Sequence, residues 1–293
     1  MKAPAFDYIK PRSIEAALQL LAEHGDEARV LAGGQTLLAT LNMRLSEPAL
    51  LIDISGIDAL RGISVADGRL RIGALVTHSE IEASPLVATH APLLAQAAPH
   101  IAHRAIRNRG TFGGSIAFAD PSAEWPACLL ALDGVIVVRG PQGERRIAAE
   151  DFFIDLYATA LAQGEVVIAC ELPIKQGGDR FVFTELARRH GDYAVVGLAL
   201  AVRIEDGVVR HARLAFLGMG ATPIRARSAE AELEGRALDA ALIASATSTL
   251  ERELDPLGDL THAPETKRHL AAVLARRALT SLLATTEKAA RHA

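Results

Sequence analysis

Two pairs of adjacent glycines constrain this chain more than any other feature. The first pair, Gly33 and Gly34, lies in RVLAGGQTLLATL, between a predicted strand (residues 29–32) and a helical pattern that resumes at Leu37. Glycines at such a junction leave backbone N–H groups uncovered near the positive end of a helix dipole. The turn can therefore hold a phosphate or pyrophosphate, or it can merely reverse the chain.

The second pair lies in RNRGTFGGSIAFADPS, residues 107–122. Here Gly113 and Gly114 open the backbone around Thr111 and Ser115. Two turns rich in hydrogen-bond donors favour one ligand long enough to contact both, and a dinucleotide meets that requirement better than a single phosphate. The arginines of this region either add positive charge to such a site or pair with carboxylates; they are Arg104, Arg107 and Arg109.

Competing nucleotide and hydrolase motifs are missing or incomplete. The chain has no G-x-x-x-x-G-K-[ST] sequence, which argues against a P-loop ATPase. Pro223 occupies the last position of the one G-x-G-x-x-G-like match, which begins at Gly218, and so argues against a Rossmann turn. Ala117 replaces the last glycine of a nucleophile elbow around Ser115, which leaves a serine hydrolase as a weak alternative.

No catalytic metal site is predicted. The ten histidines show no H-E-x-x-H spacing, and His100 with His103, on one face of a helix predicted over residues 92–107, lack further ligands. Cys128 and Cys170 lie in apolar segments and are expected to be buried and reduced. Two cysteines are too few for an iron-sulfur cluster within this chain.

Composition bounds the class of protein. With 293 residues, half of them hydrophobic, the chain can bury a large core. A net charge of −4 gives no electrostatic reason to expect nucleic acid as a partner. The longest apolar run, residues 193–202, is shorter than a membrane-spanning helix, and the N-terminus lacks the apolar core of a secretory signal, so a cytoplasmic location is expected.

Local patterns predict the remaining elements. Ser13 and Gly25 cap a helix between them, and Thr77 with Glu80 forms the signature of a helix start. The other expectations are a strand at 50–55, a helix with Pro126 in its first turn, a hairpin around 141–143, a linker near 172–180, strands at 194–202 and 213–218, and helices at 227–252 and 264–287.

Six segments in this order resemble a known family. They are AGGQTLLATL, IGALVTH, IRNRGTFGGSIAFADPSAEWPA, YATALAQGEVVIACELP, RRHGDYAVV and GMGATPIRA. Together they resemble the FAD-binding medium subunit of the molybdenum hydroxylases, which include carbon monoxide dehydrogenase and the xanthine dehydrogenase group. The resemblance covers nearly the whole chain.

The resemblance implies an α+β protein with an FAD-binding fold of two α/β subdomains, of the type found in vanillyl-alcohol oxidase. A smaller α+β domain follows it. On this basis we divide the chain into a first FAD-binding subdomain at residues 1–60, a second at 61–175, and a C-terminal domain of the carbon monoxide dehydrogenase flavoprotein type at 176–293.

The resemblance also implies a set of FAD-binding residues and no catalytic residue in this chain. Glu124 is expected to bind the adenosine ribose, and Tyr193 to lie near the isoalloxazine ring. The first turn is expected to hold the pyrophosphate; the full set is Ala32, Gly33, Gly34, Gln35, Thr36, Leu37, Ile101, Thr111, Gly113, Gly114, Ser115, Glu124, Val167 and Tyr193. The family usually has Asn at position 115 and Asp at position 124, so an altered hydrogen-bond pattern is expected at both.

Members of this family relay electrons. A large molybdopterin-binding subunit oxidises the substrate, a small iron-sulfur subunit passes the electrons on, and FAD delivers them to an external acceptor. The resemblance thus implies a flavoprotein subunit in a heterohexamer, a dimer of heterotrimers, in which only FAD is bound by this chain. A self-contained FAD-dependent oxidase, a hydrolase that uses Ser115, and a partner protein with a decayed flavin site are the alternatives.

Overall fold

A computed structural model of the chain describes the backbone of residues 2–290 and the side chains of residues 2–285. Within this part, three larger sheets follow one another along the sequence, each with its own helices. No helix in residues 2–290 is both long and apolar enough to cross a membrane. The site described below lies where the first two sheets meet.

The first sheet is parallel and has the strand order β1-β3-β2. Ser13 caps the first helix, since its hydroxyl accepts a hydrogen bond from the N–H of Ala16 at 3.2 Å, and Gly25 ends it with a φ of 51°. The predicted first helix is confirmed. The elements are β1 (Asp7–Ile9), α1 (Ile14–His24), β2 (Ala28–Leu31), α2 (Leu37–Asn42) and β3 (Leu50–Asp53).

The second sheet is antiparallel, with the order β4-β5-β10-β6-β7. Its strands are β4 (Ile63–Ala66), β5 (Arg69–Gly73), β6 (Val135–Gly140), β7 (Gly143–Ala148) and β10 (Val166–Pro173); β8 (Phe153–Asp155) and β9 (Ala158–Thr159) form a separate hairpin. The predicted turn at 141–143 joins β6 to β7.

Seven short helices accompany the second sheet. They are α3 (His78–Ala83), α4 (Pro85–His90), α5 (Pro92–Ala97), α6 (Arg104–Arg107), α7 (Phe112–Phe118), α8 (Glu124–Ala131) and α9 (Ala149–Phe152). Thr77 and Glu80 form the predicted capping box at the start of α3, with the side chain of each bonded to the backbone N–H of the other. Pro126 lies in the first turn of α8, as predicted.

The third sheet is antiparallel in the order β11-β12-β13-β14 and packs between two sets of helices. Along β12, Val196, Leu198 and Leu200 face a core shared with α10 to α12, while Ala199 and Ala201 face α8 and the second core. Both faces are thus buried. The elements are β11 (Asp179–Ala187), β12 (Ala194–Glu205), β13 (Val208–Leu217), β14 (Ile224–Arg225), α10 (Arg227–Leu233), α11 (Ala240–Glu253) and α12 (Pro264–Ala290).

Two predicted helices are wrong in their continuity. The helix predicted over residues 92–107 is broken into α5, a 3₁₀ turn (Ala98–His100) and α6, because Pro99 cannot donate the next helical hydrogen bond. The helix predicted over 227–252 is divided into α10 and α11 by Gly235, whose φ is 78°. His100 and His103 therefore do not share a helical face.

Candidate functional site

The turn between β2 and α2 presents unused hydrogen-bond donors. The backbone N–H groups of Gly33, Gly34, Gln35 and Thr36 donate to no acceptor within the described residues. The Gln35 side chain instead bonds the carbonyl of Gly33, from Nε2 at 3.1 Å, and so holds the turn in shape. Gly34 has a φ of 73°, which favours glycine. Four adjacent donors at the end of a strand can bind an anionic group.

Gly33 brings this turn against the second glycine loop. A Cβ atom at Gly33 would lie 2.2 Å from the carbonyl oxygen of Arg109 and 2.9 Å from the Cα of Gly110. Both atoms belong to the backbone, so no side-chain rotation could relieve the overlap. The two loops that the sequence singled out are therefore in direct contact, and only glycine at position 33 permits it.

The second loop is tied to the strand edge beneath it. Thr111 caps α7, since its Oγ1 accepts a hydrogen bond from the N–H of Gly114 at 3.2 Å. The N–H of Gly113 donates to the carbonyl of Ala74 at 2.9 Å, and a Cβ at Gly113 would lie 2.4 Å from the Cβ of Ala74. Gly114 faces Ala32 of the first turn, with 3.8 Å between its ideal Cβ and that of Ala32.

A buried histidine supports this loop from below. The ring of His78 accepts a hydrogen bond at Nδ1 from Trp125 Nε1 at 3.0 Å, and the backbone N–H of His78 donates to the carbonyl of Gly110 at 3.0 Å. Burial, together with the charge of Arg107, lowers the pKa of His78 to about 4. The imidazole is therefore neutral at pH 7 and carries its proton on Nε2. His78 is not among the site residues predicted from the sequence.

Arg107 also supports the backbone. It is only 8% exposed, and its Nη1 donates to the carbonyls of Ile101 at 3.1 Å and Ala102 at 3.0 Å. Its Nε bonds Glu82 at 3.1 Å. Of the two roles left open by the sequence, Arg107 has the carboxylate partner. Arg104 pairs with the same carboxylate at 3.4 Å.

A second group of polar side chains lies at the C-terminal side of α7. Burial, then the charges of Glu185 and Asp120, raise the pKa of Glu124 to about 8. Desolvation, then Asp120, Tyr157 and Glu124, raise the pKa of Tyr193. Tyr193 is 68% exposed, so an aromatic ring stands at the surface next to enclosed acids. The effect of Glu124 on the pKa of Tyr193 indicates that these two predicted residues lie near each other.

Glu185 is a further acid that the sequence analysis did not select. Its side chain is 5% exposed, and its Oε1 lies 3.3 Å from His100 Nδ1. Its Oε2 is buried and has no hydrogen-bond partner among the described residues. No motif in the sequence marks Glu185. Its position on β11 does not show which side chains pack against it in the folded protein.

The other predicted site residues lie deeper. Ile101 is 8% exposed and Val167 4%, and both belong to the core of the second sheet. The residue after Val167, Ile168, accepts the N–H of Ala74 at 3.0 Å, next to the second loop. Leu37 begins α2 directly after the first turn. These residues bracket the two loops and do not themselves supply polar contacts from their side chains.

The geometry argues against hydrolysis at the loops. Ser115 Oγ makes no hydrogen bond to any described residue, and His78 beneath the loop is directed at Trp125. A serine nucleophile needs a base within hydrogen-bond reach. The described residues contain no group of three His, Cys, Asp or Glu side chains that could hold a metal ion. Cys128 and Cys170 are buried and unpaired, as predicted.

A cavity of about 270 Å³ lies away from the loops, at the segment GMGATPIRA. Thr222, Pro223 and Ile224 line it from one side and Leu130 and Phe153 from the other. This motif therefore lies where the third sheet meets α8 and the β8–β9 hairpin. Its first residue, Gly218, donates its backbone N–H to the carbonyl of Pro121 at 2.9 Å, in the segment that carries the second glycine pair.

Comparison with known families agrees with this geometry. Residues 4–175 match the FAD-binding domain of molybdopterin dehydrogenases, and residues 181–282 match the C-terminal domain of carbon monoxide dehydrogenase flavoproteins. The two matches together span most of the chain.

The chain belongs to the FAD-binding medium subunits of the molybdenum hydroxylases. FAD is therefore the cofactor of its N-terminal region, and the open N–H groups of the first turn fit the diphosphate of such a dinucleotide. The fold expected from the resemblance is confirmed, and the family consists of subunits of oxidoreductase complexes.

Several relatives align with nearly the whole of this chain. It is 39% identical to the alpha subunit of the 6-hydroxypseudooxynicotine dehydrogenase complex of Paenarthrobacter nicotinovorans, covering 97% of this chain and 96% of the relative. It is 34% identical to the carbon monoxide dehydrogenase medium chain of Hydrogenophaga pseudoflava, with 95% and 97% covered.

Solved structures give the same result. A chain of Hydrogenophaga pseudoflava carbon monoxide dehydrogenase superposes with a TM-score of 0.94 at 36% identity, covering 97% of this chain and 99% of that chain. A chain of quinoline 2-oxidoreductase from Pseudomonas putida 86 gives 0.91 at 36% identity, with 96% and 98% covered. Chains from these two oxidoreductases thus share the fold of this chain.

Proposed function

We propose that this chain is the electron-transfer subunit of a molybdenum hydroxylase complex, taking electrons from an iron-sulfur partner subunit and passing them through FAD to an external acceptor. The observation that carries the proposal is the contact between the two glycine loops, with four backbone N–H groups left open beside it. Bound FAD supplies the redox chemistry, and the protein supplies position and electrostatics.

In this proposal the first turn binds the diphosphate. Gly33, Gly34, Gln35 and Thr36 present backbone N–H groups, and the positive end of α2 lies directly behind them. Ala32 and Leu37 flank the turn. The chain would thus hold the most highly charged part of the cofactor with backbone dipoles, which need no side-chain ordering on binding.

The second loop and the acids beyond it would hold the rest of the cofactor. Thr111, Gly113 and Gly114 would bring the backbone close to the cofactor. The Ser115 hydroxyl, which bonds no described residue, can donate or accept at the position where the family resemblance implies Asn. Glu124 would bind the adenosine ribose, and Tyr193 would lie close to the isoalloxazine ring. Ile101 and Val167 would shape the apolar wall behind it.

Partner subunits complete the proposed relay. Because this chain has only two cysteines, both buried, the iron-sulfur clusters must be in another chain. We propose a small iron-sulfur subunit and a large molybdopterin-binding subunit, assembled as a dimer of heterotrimers in the cytoplasm. We also keep the division into 1–60, 61–175 and 176–293 as part of this proposal.

Purification from the native host tests the proposal. The complex should contain two companion chains, one large with molybdopterin and one small with iron-sulfur clusters, and should release FAD when denatured. The identity of the companion chains would also reduce the number of candidate substrates and electron acceptors. A colourless chain that takes up no FAD would refute the proposal, and flavin reduction by substrate in the isolated chain would favour a self-contained oxidase.

A further inference from the structure

One segment that accompanies the second sheet runs alongside β11 of the third sheet. Gln96 bonds the edge of this strand twice, since its Nε2 donates to the carbonyl of Phe181 at 3.2 Å and its Oε1 accepts the N–H of Phe183 at 2.9 Å. Four residues later, the ring of His100 packs against Phe183 at a centroid distance of 5.2 Å, and its Nδ1 lies 3.3 Å from Glu185 Oε1. The segment thus follows β11 toward the C-terminal end of the strand.

The contact continues beyond β11, at Gly191. This glycine has a φ of 81°, and a Cβ there would lie 2.8 Å from the carbonyl oxygen of Ala102 and 3.0 Å from His103 Nδ1. A left-handed residue packed this closely against a carbonyl must be glycine. The loop of residues 188–193, which ends at Tyr193, therefore rests on the backbone at Ala102.

Arg107 fixes the backbone on which this loop rests. Its Nη1 donates to the carbonyls of Pro99, Ile101 and Ala102 at 3.3, 3.1 and 3.0 Å. Ala102 has a φ of 43°, a left-handed conformation that alanine adopts only where its surroundings hold it there. One guanidinium thus holds a strained bend, and one of its three acceptors is the carbonyl that Gly191 meets.

A second close approach holds the other end of the loop. Gly218 has a φ of 75°, and a Cβ there would lie 2.8 Å from the carbonyl oxygen of Val195 and 3.2 Å from that of Ala194. The N–H of Gly218 donates in turn to the carbonyl of Pro121, in the segment of the second glycine pair. The backbone is therefore held on both sides of Tyr193, while the side chain itself is exposed.

We propose that Arg107 is a positioning residue for Tyr193. Its guanidinium fixes the Ala102 carbonyl, Gly191 rests on that carbonyl, and this contact sets where the Tyr193 ring stands beside bound FAD. An exposed ring on a free loop would sample many orientations, and ordering it on binding would reduce the affinity. A loop that is held at both ends avoids most of that loss. The inference rests on the proposed FAD site.

Hydrogen exchange in the full-length apoprotein tests the contact without FAD. The backbone amides of Asp192 and Tyr193 report on the loop, since they donate to the carbonyl of Arg189 at 3.1 Å and to Asp192 Oδ1 at 3.2 Å. Both should exchange at least about tenfold faster in Gly191→Ala than in the wild type, because the new Cβ pushes the loop away from Ala102.

Matched variants separate this effect from general strain. Gly178→Ala is the control for Gly191→Ala, because Gly178 has a φ of 80° and its Cβ would also lie 2.8 Å from a carbonyl oxygen, that of Ile204 at the opposite end of β12. Arg107→Lys should also speed the exchange, since a lysine cannot bond three carbonyls from one fork. Arg104→Lys should not, because Arg104 pairs with Glu82 alone. Equal exchange rates in Gly191→Ala and Gly178→Ala, or wild-type rates in Arg107→Lys, would overturn the proposal.

A double-mutant cycle on FAD binding shows whether the contact acts through Tyr193. Tyr193→Ala and Gly191→Ala should each raise the Kd for FAD about three- to tenfold, which is the scale of one lost aromatic contact. The double variant should bind at most about twofold more weakly than either single variant, because the ring that Gly191 positions is already missing. Independent effects that multiply would overturn the proposal. A wild-type chain that takes up no FAD would refute the proposed function, whereas the exchange rates would still decide whether Arg107 and Gly191 hold the loop.

Discussion

Gly33→Ala should weaken FAD binding by forcing the two glycine loops apart. The new Cβ would lie 2.2 Å from the Arg109 carbonyl oxygen, whereas ordinary contact begins near 3.4 Å, so the backbones must separate by about 1 Å. Such overpacking costs about 1–3 kcal/mol. If the strain is relieved by opening the site, the Kd for FAD rises about tenfold to hundredfold.

Isothermal titration of apoprotein with FAD measures this effect, and thermal unfolding of the apoprotein shows how much of the cost falls on stability. Gly177→Ala is the matched control, because a Cβ there meets nothing within 4 Å and its φ is not positive. Gly113→Ala tests the second loop independently, because its Cβ would lie 2.4 Å from the Cβ of Ala74 and would displace this loop. Wild-type affinity and stability in Gly33→Ala would refute the proposed close approach.

Three further predictions concern the support of the loops. Because burial and Arg107 lower the pKa of His78 to about 4, the folded state disfavours protonation of this side chain. The free energy of unfolding, measured with urea, should be highest above pH 6.5 and should fall by about 3 kcal/mol as the pH drops to 4. His78→Gln should lose most of this dependence of stability on pH. Arg107→Met should cost about 3–5 kcal/mol in unfolding free energy, since it leaves several carbonyls without a donor and Glu82 with only Arg104 as a partner. Exposed Arg104→Met should cost under about 1 kcal/mol. Burial raises the pKa of both Cys128 and Cys170, so neither thiol should react with a disulfide reagent at pH 8 until the chain unfolds; reaction in the folded state would contradict their burial.

Local chemistry explains which elements the sequence could predict. Ser13 and Gly25 bound the first helix, and Thr77 with Glu80 starts α3, because each cap is made within a few residues of the chain. The helix predicted over 92–107 is interrupted at Pro99, because proline has no backbone N–H to donate within a helix.

The site could be predicted only in part. The glycine pairs indicate backbone that lies close to another segment or to a ligand, and the ordered motifs indicate the family. They do not show that Gly33 meets the carbonyl of Arg109, because that contact joins segments about seventy residues apart. His78 gave no signal beyond its place after a helix cap, since its burial depends on Trp125 from another helix.

The sequence by itself determined the two glycine turns, the caps of the helices around them, the lack of enough cysteines for a cluster, and the family. The tertiary structure alone decided what the turns touch and which buried groups act on each other. His78 on α3 meets Trp125 on α8 only when these helices pack together on the second sheet. Spacing along the chain governs local hydrogen bonds, whereas burial and electrostatic coupling depend on distances in space.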